Sequence, residues 1–344
     1  MNLPLRISRA MPSERVISVD GAWGAPGLNL SHWPGNTTPR ELKHDLSTGI
    51  ALAFARLDDE RRAELARGCT AIVNNHFDTD GTCALFAIQR PSEALQREQA
   101  LLEAAAAGDM FQFPSERALR VDLIVTNLCN SESSPIAPRL AGLDDYERYD
   151  VATQFLIEQM PAILDGDALA YRELWEAEFD ATRADRADLA LAERDDVVHL
   201  DWSIWTSKSG LFRRGDGGAG RHALFGSTPH DRVLFVQPRD GGADYRLLLS
   251  TLSWFELVTR DAHPRPSLER LAARLNELEG TSADEGRAWR CHDTGSPSPE
   301  LWFGAPELEM FSERCDAARP SSLAPALVRR TIADALRSTL ALPA

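Results

Sequence analysis

The stretch CTAIVNNHFDTDGTCALFAIQR, residues 69–90, limits the folds open to this chain more than any other. A compact apolar run with β-branched residues ends at two asparagines. A polar turn follows, closed by Gly81, and then a run of small and apolar residues begins. The first run is too short for a helix and reads as a buried parallel strand, whereas the last reads as a helix. A strand that passes through a tight turn into a helix is the unit of a layered α/β domain.

The surrounding sequence extends this pattern. ERVISVDG, residues 14–21, reads as a short strand ending in a turn. TTPREL predicts a helix start with Pro39 near its first turn, and Leu42, Leu46, Ile50, Ala53 and Phe54 then share one helical face. PSEALQREQALLEAAAAGDM is rich in strong helix formers, with Gly108 as the predicted stop. Residues 115–129 fit a strand or a helix, helix being preferred, and 144–193 read as two or three long helices. The character changes near Asp196. VVHLDWSIW is strand-like, RVLFVQPRDGGADYRLLLST reads as a hairpin, and 265–280 is an amphipathic helix with Leu268, Leu271, Leu275 and Leu278 on one side. A last helix is expected in APALVRRTIADALRSTL. The expected fold is therefore α/β: a mostly parallel sheet with flanking helices over residues 1–195, followed by a smaller α+β domain over 196–344.

Charge narrows the partners. Lys and Arg number 37 against 52 Asp and Glu, a formal net charge of −15. Such a surface repels phosphate backbones, so no duplex nucleic acid is expected as a partner. No apolar run approaches the roughly 18 residues of a membrane span, so no membrane partner is expected. MNLPLRISRAMPSERVISVD lacks the apolar stretch of a secretory signal. The five cysteines, Cys69, Cys83, Cys129, Cys291 and Cys315, form no C-x-x-C pair. Scattered thiols of this kind point to a reducing, cytoplasmic location. Nothing in the sequence indicates an oligomeric state.

The polar turn carries the chemistry. A strand running into HFDTDG and then a helix places His76, Asp78 and Asp80 at the carboxyl end of a strand, where ligands bind in open α/β sheets. Carboxylates with imidazole suit Mn²⁺, Mg²⁺ or Fe²⁺ better than a soft metal, and two such ions would activate water and polarise a phosphoryl oxygen. A calcium-loop alignment fails. With His76 first, the twelfth position is Ala87, where a bidentate Glu is required. A purely structural role stays open, because Asp-x-Asp-Gly is also good turn chemistry, with Asp80 as the cap of a helix starting at Gly81 or Thr82.

HFDTDG followed by a small-residue helix resembles the first motif of the DHH phosphoesterase superfamily, which includes single-strand exonucleases, oligonucleotide and cyclic-dinucleotide phosphodiesterases and polyphosphatases. The resemblance implies a two-manganese site with His76, Asp78 and Asp80 as ligands. It covers about a dozen residues, and the chain contains no Asp-His-His. Taken together, LSHWPG and NNHFDTDG resemble an uncharacterised bacterial family that carries both.

Other groups complete the expectation. GDGGAG, residues 215–220, satisfies G-x-G-x-x-G, but no clear strand precedes it and no obvious helix follows, so it reads as a flexible loop. Arg213, Arg214, Arg221 and His222 beside it form a basic loop able to receive a small anionic substrate. His32, His44-Asp45, Gly108-Asp109 and His230-Asp231 are further candidate ligands, Asp109 being the best placed to complete a metal site. Trp33, Trp202, Trp205 and Trp254 read as core or interface residues. No serine-hydrolase, zinc-protease or phosphate-loop motif is present. The expected function is a divergent metal-dependent phosphohydrolase acting on a small phosphoester such as a nucleotide or short oligonucleotide. It would use Mn²⁺ or Mg²⁺, one ion or two, held by His76, Asp78, Asp80 and Asp109, with His76 and Asp80 in catalysis. The competing expectation is a catalytically silent binding or scaffold protein that keeps the turn for structure, with or without a metal ion.

Overall fold

The computed structural model describes residues 3–21, 24–130, 132–208, 211–212, 218–282 and 286–340. The chain forms two compact units, Met1–Phe179 with Phe255–Asp261, and Asp180–Trp254 with Ala262–Ala344. The second unit thus begins before the change in composition near Asp196, and the first takes in a short segment from far along the chain.

In the first unit, β1 (Leu5–Ile7), β2 (Val16–Val19), β3 (Gly27–Leu30) and β4 (Ile72–Asn74) form a parallel sheet in the order β1-β4-β2-β3. Because every pairing is parallel, all four carboxyl ends emerge at one edge. β2 and β4 are buried along their whole length, as strands covered on both faces must be. The helices are α1 (Ser47–Arg56), α2 (Asp59–Leu65), α3 (Thr79–Gln89), α4 (Pro91–Gln96), α5 (Glu98–Met110), α6 (Glu116–Leu128), α7 (Ala137–Leu140), α8 (Asp145–Asp165) and α9 (Arg172–Leu189), the division between units falling within α9.

α3 is central. Every residue from Thr79 to Ile88 is buried, so it shows no polar stripe. Its small residues Cys83, Ala84 and Ala87 let α1 and α5 both pack against it. Ile17, Leu30 and Ile72 of the sheet join Ile50 and Phe54 of α1 and Leu85 and Phe86 of α3 in one core. Burying each such side chain contributes roughly 1.5–3 kcal/mol.

Three local expectations change. TTPREL makes only a single 3₁₀ turn, Arg40–Leu42, and the helix begins at Ser47. The His44 ring accepts a hydrogen bond from the Leu46 amide at 3.1 Å, which holds the intervening residues in a turn. Residues 91–110 break at Arg97 into α4 and α5. Gly108 lies inside α5, which ends at Phe111 in the left-handed region (φ 52°). The glycine is there for packing: a Cβ on it would stand 2.8 Å from Thr79 Cβ on α3. The ambiguous stretch 115–129 is helix α6, capped by Ser115, which accepts from the Ala118 amide at 3.2 Å.

In the second unit, β5 (Glu193–Val197), β6 (Trp202–Thr206), β7 (Arg232–Arg239), β8 (Gly242–Leu249), β9 (Ala288–Cys291) and β10 (Glu300–Gly304) form a mixed sheet in the order β5-β6-β7-β8-β10-β9. β7 and β8 are the expected hairpin, closed between Arg239 and Gly242. RHALF does form a short helix, α10 (Arg221–Phe225), where none was expected. α11 (Leu268–Glu279) and α12 (Pro325–Leu340) bury Leu268, Leu271, Leu275, Val328, Ile332 and Leu336 in a core with Leu234, Leu247 and Leu301 of the sheet. No helix among the described residues is long and apolar enough to cross a membrane.

Candidate metal centre in the first unit

The carboxyl edge of the parallel sheet gathers six side chains in two overlapping groups. Asp20, His32, Asp80 and Asp109 form one, and Asp20, His76 and Asp78 the other. Within each group one ligand atom per residue lies within 4.8 Å of all the others, a spacing that can hold a metal ion.

Each residue is placed by its local chain. Asp20 follows β2 directly, in the left-handed region at φ 66°. Gly21 comes next because a Cβ there would strike Asn75 Oδ1 at 2.3 Å. His32 follows β3 in a loop braced by its own polar residues. Thr38 Oγ1 accepts from the Ser31 amide (2.8 Å) and donates to the Ser31 carbonyl (2.7 Å), and Thr37 N donates to Asn29 Oδ1 (3.0 Å). The His32 ring is fixed twice. Its Nδ1 donates to the Asp45 carbonyl at 2.7 Å, and Phe255 stacks on it with centroids 3.8 Å apart. The Phe255–Asp261 segment is tied down by Glu256 N donating to the His32 carbonyl (2.8 Å) and by the Val258 and Thr259 amides donating to Asp45 Oδ1 (2.6 and 3.0 Å).

Asp78 and Asp80 do not do what turn chemistry alone predicted. α3 begins at Thr79, and its cap is Asp78, whose Oδ1 accepts from Gly81 N at 2.9 Å. Asp80 sits in the first turn, and its two carboxylate oxygens accept from the Ser47 and Thr48 amides, each at 2.7 Å. Asp80 therefore caps α1, a helix whose own Leu46 has no capping side chain. Asp109 reaches the cluster from the end of α5, which Gly108 lets close upon α3.

The inner group is sealed: Asp20, His32 and Asp80 are at most 1% exposed and Asp109 8%. His32 Nε2 faces Asp109 Oδ2 at 3.1 Å, Asp20 Oδ1 at 3.5 Å and Asp80 Oδ2 at 3.6 Å. Three carboxylate oxygens about one buried ring nitrogen suit a divalent cation with a preference for oxygen and imidazole. The outer group is open. The side chains of His76 and Asp78 are 27% and 35% exposed, and His76 Nε2 lies 2.9 Å from both Asp20 Oδ2 and Asp78 Oδ2. Asn75 Oδ1 accepts from His76 Nδ1 at 2.6 Å, which aims Nε2 inward.

Burial and mutual charge shift the titration of the cluster. For Asp20, burial opposes ionisation, but the charge of His76 and the hydrogen bond from His32 hold it far below the carboxylate range. Burial likewise opposes charge on His32 and His76. Hydrogen bonding to Asp109 and Asp20 nevertheless raises the first well above its ordinary value, and the charges of Asp78 and Asp20 raise the second. Burial and then the Asp20 charge push Asp80 up to about 6, and burial with Asp78 and Asp80 pushes Asp109 well up. A metal ion must displace these protons. Binding is therefore expected to release protons and to strengthen as pH rises, with a further loss below about pH 6 as Asp80 protonates. Calorimetric titration with Mn²⁺ in two buffers of different ionisation enthalpy measures this, and a buffer-independent heat contradicts it.

Gly81 gives a second expected result. A methyl group on it would stand 2.4 Å from Asn74 Nδ2 and 2.9 Å from both Asp20 Oδ2 and Asp78 Oδ1. Asn74 is held by the Asn75 amide and Asp78 by its capping bond, so neither can give way freely. Gly→Ala in a helix ordinarily gains about 1 kcal/mol. Gly81→Ala is expected instead to lose about 1–3 kcal/mol, as overpacked sites do, and to weaken Mn²⁺ uptake. Chemical denaturation of the metal-free protein gives the sign.

The structure thus brings His76, Asp78, Asp80 and Asp109 together and adds two residues. His32 was one weighed ligand among several, and Asp20 had gone unremarked although VISVDG, like the main motif, places an Asp-Gly after an apolar strand. Arg213 and Arg214 fall outside the described residues. Arg221 and His222 are interior groups of the second unit: Arg221 donates to Ser298 Oγ (2.7 Å) and Glu300 Oε2 (3.4 Å), and His222 Nδ1 lies 2.6 Å from Glu313 Oε1. His44 packs on Gly49, and His230 pairs with Asp201 at 3.0 Å. Asp231 accepts from Ser250 Oγ at 2.8 Å.

Fold and site together define an α/β protein whose parallel sheet carries, at its carboxyl edge, a buried carboxylate–imidazole centre able to hold a metal ion. The chain belongs to DUF6687, a family of unknown function, whose sequence profile matches residues 5–343. No curated protein matches the sequence.

Proposed function

We propose that the cluster is a two-ion centre and that the protein is a metal-dependent phosphohydrolase of DHH-like type, acting on a small phosphoester with Mn²⁺ or Mg²⁺. The observation that carries this reading is the position of Asp20 between the two groups. Its Oδ1 faces His32 and its Oδ2 faces His76, so one carboxylate serves both. When bound, a pair of divalent ions sharing a carboxylate lowers the pKa of a water and polarises a phosphoryl oxygen.

The residues divide the work. Asp20, His32, Asp80 and Asp109 form a closed set suited to tight holding of one ion. Asp20, His76 and Asp78 offer three ligands at the exposed side and leave room for substrate, the distinction that separates structural from catalytic metal sites. The amides of Ser47 and Thr48 and the Ser47 hydroxyl, which donates to Asp20 Oδ1 at 2.9 Å, hold two of the carboxylates in place. The formal charge of −15 favours a small anion over a long nucleic acid as substrate.

The test is turnover of a panel of nucleotides, short oligonucleotides and simple phosphomonoesters and diesters with and without Mn²⁺. Hydrolysis of at least one, abolished by chelator and restored by metal, is expected. Metal uptake without turnover on any of them would favour the catalytically silent, metal-binding reading.

A further inference from the structure

We infer that the side-chain amide of Asn74 binds an oxygen of a tetrahedral oxyanion, the phosphoryl group, at the outer half of the centre. The inference rests on the two-ion reading above and assigns a role to a residue outside both ligand groups.

Asn74 ends β4, two residues before His76, at the sheet edge where ligands bind. It is 1% exposed. Its backbone carbonyl accepts from Ser8 N at 2.9 Å, and its Oδ1 accepts from Asn75 N at 2.7 Å. That second bond fixes which end of the amide is nitrogen. Nδ2 is buried and has no hydrogen-bond partner. Buried donors are almost always satisfied, so one left over beside a candidate site is a place where a ligand atom can be received.

The surroundings state what that atom must be. Asn74 Nδ2, Asp20 Oδ2 and Asp78 Oδ1 all crowd Gly81, 2.4, 2.9 and 2.9 Å from where a Cβ on it would stand, so the amide nitrogen and the two carboxylates share one small space. Nδ2 can only donate, so its partner is an acceptor rather than a metal ion. An acceptor beside two carboxylates is repelled unless cations lie between them. An anionic oxygen paired with a cation that Asp20, His76 and Asp78 would hold meets both demands, and a phosphoryl oxygen is such a group.

Inorganic phosphate is the probe, titrated calorimetrically into the full-length protein loaded with Mn²⁺, with Mn²⁺ uptake measured on the same samples by electron paramagnetic resonance. Asn74→Asp keeps the shape and the acceptor for Asn75 N, removes the donor and adds a negative charge. Asn74→Ala removes the donor without adding charge, and with it the acceptor for Asn75 N. The wild type is expected to bind phosphate only when metal is loaded. Both variants are expected to keep Mn²⁺ uptake and lose phosphate affinity at least tenfold. Equal phosphate affinity in wild type and Asn74→Ala would overturn the inference and leave the metal centre standing, since water alone would then satisfy the amide. A loss confined to Asn74→Asp would overturn it too, as simple charge repulsion. Metal-loaded wild type that binds no phosphate has the same meaning. Wild type that takes up no Mn²⁺ would remove the two-ion reading itself, and the role of Asn74 with it.

Discussion

Asp20→Asn is expected to abolish uptake of both ions and any metal-dependent turnover. Asp20 is the only residue common to the two groups of ligands among the described residues, and its two oxygens point one into each. Asparagine tolerates the left-handed backbone at φ 66° at least as well as aspartate, so the chain path survives the change. What is lost is the charge that two cations would share in the proposed two-ion centre. If the wild type binds Mn²⁺ as proposed, free ion at a hundred times its dissociation constant would stabilise the fold by about 2.7 kcal/mol through linkage, and melting is expected to rise accordingly. The Asp20→Asn protein should show no such rise. A variant that melts higher with Mn²⁺ by the wild-type amount would show that Asp20 holds no ion.

Asp78→Asn separates capping from metal binding more sharply. Asp78 uses Oδ1 to cap α3 and turns Oδ2 toward His76 and the outer position. Asparagine caps a helix about as well as aspartate, so the metal-free variant should match the wild type within about 0.5 kcal/mol. The outer ion loses a charged ligand while Asp20, His32, Asp80 and Asp109 stay intact. One tight Mn²⁺ should remain, the weaker one should disappear, and turnover should fall by orders of magnitude. Retained turnover would place Asp78 in the cap alone.

How much of this was legible in the sequence depends on how local each piece is. The strand, turn and helix of residues 69–90 could be read because periodicity and turn chemistry act over a few residues, and the layered α/β class followed. Which aspartate caps which helix could not. The start of α3 at Thr79 moves the cap to Asp78, and the donors that occupy Asp80 come from Ser47 and Thr48, more than thirty residues earlier. His32 and Asp20 join the site only because parallel pairing brings the carboxyl ends of β2, β3 and β4 to one edge. Phe255, which stacks on His32, is more distant still, and nothing in its local sequence announces that contact. The basic stretch near residue 221 misleads for the opposite reason. A run of charges says nothing of its partners, and Arg221 and His222 are occupied by Glu300 and Glu313, from strands and turns about 80–90 positions later.

The most direct test of the centre is the stoichiometry of Mn²⁺ bound to the wild-type protein, prepared without chelator or metal-affinity resin and titrated at pH 8, where fewer protons compete than at neutral pH. Two ions per chain are predicted, a tight one and a weaker one, matching the sealed and open groups that share Asp20. No bound Mn²⁺ at concentrations far above those in cells would contradict the account.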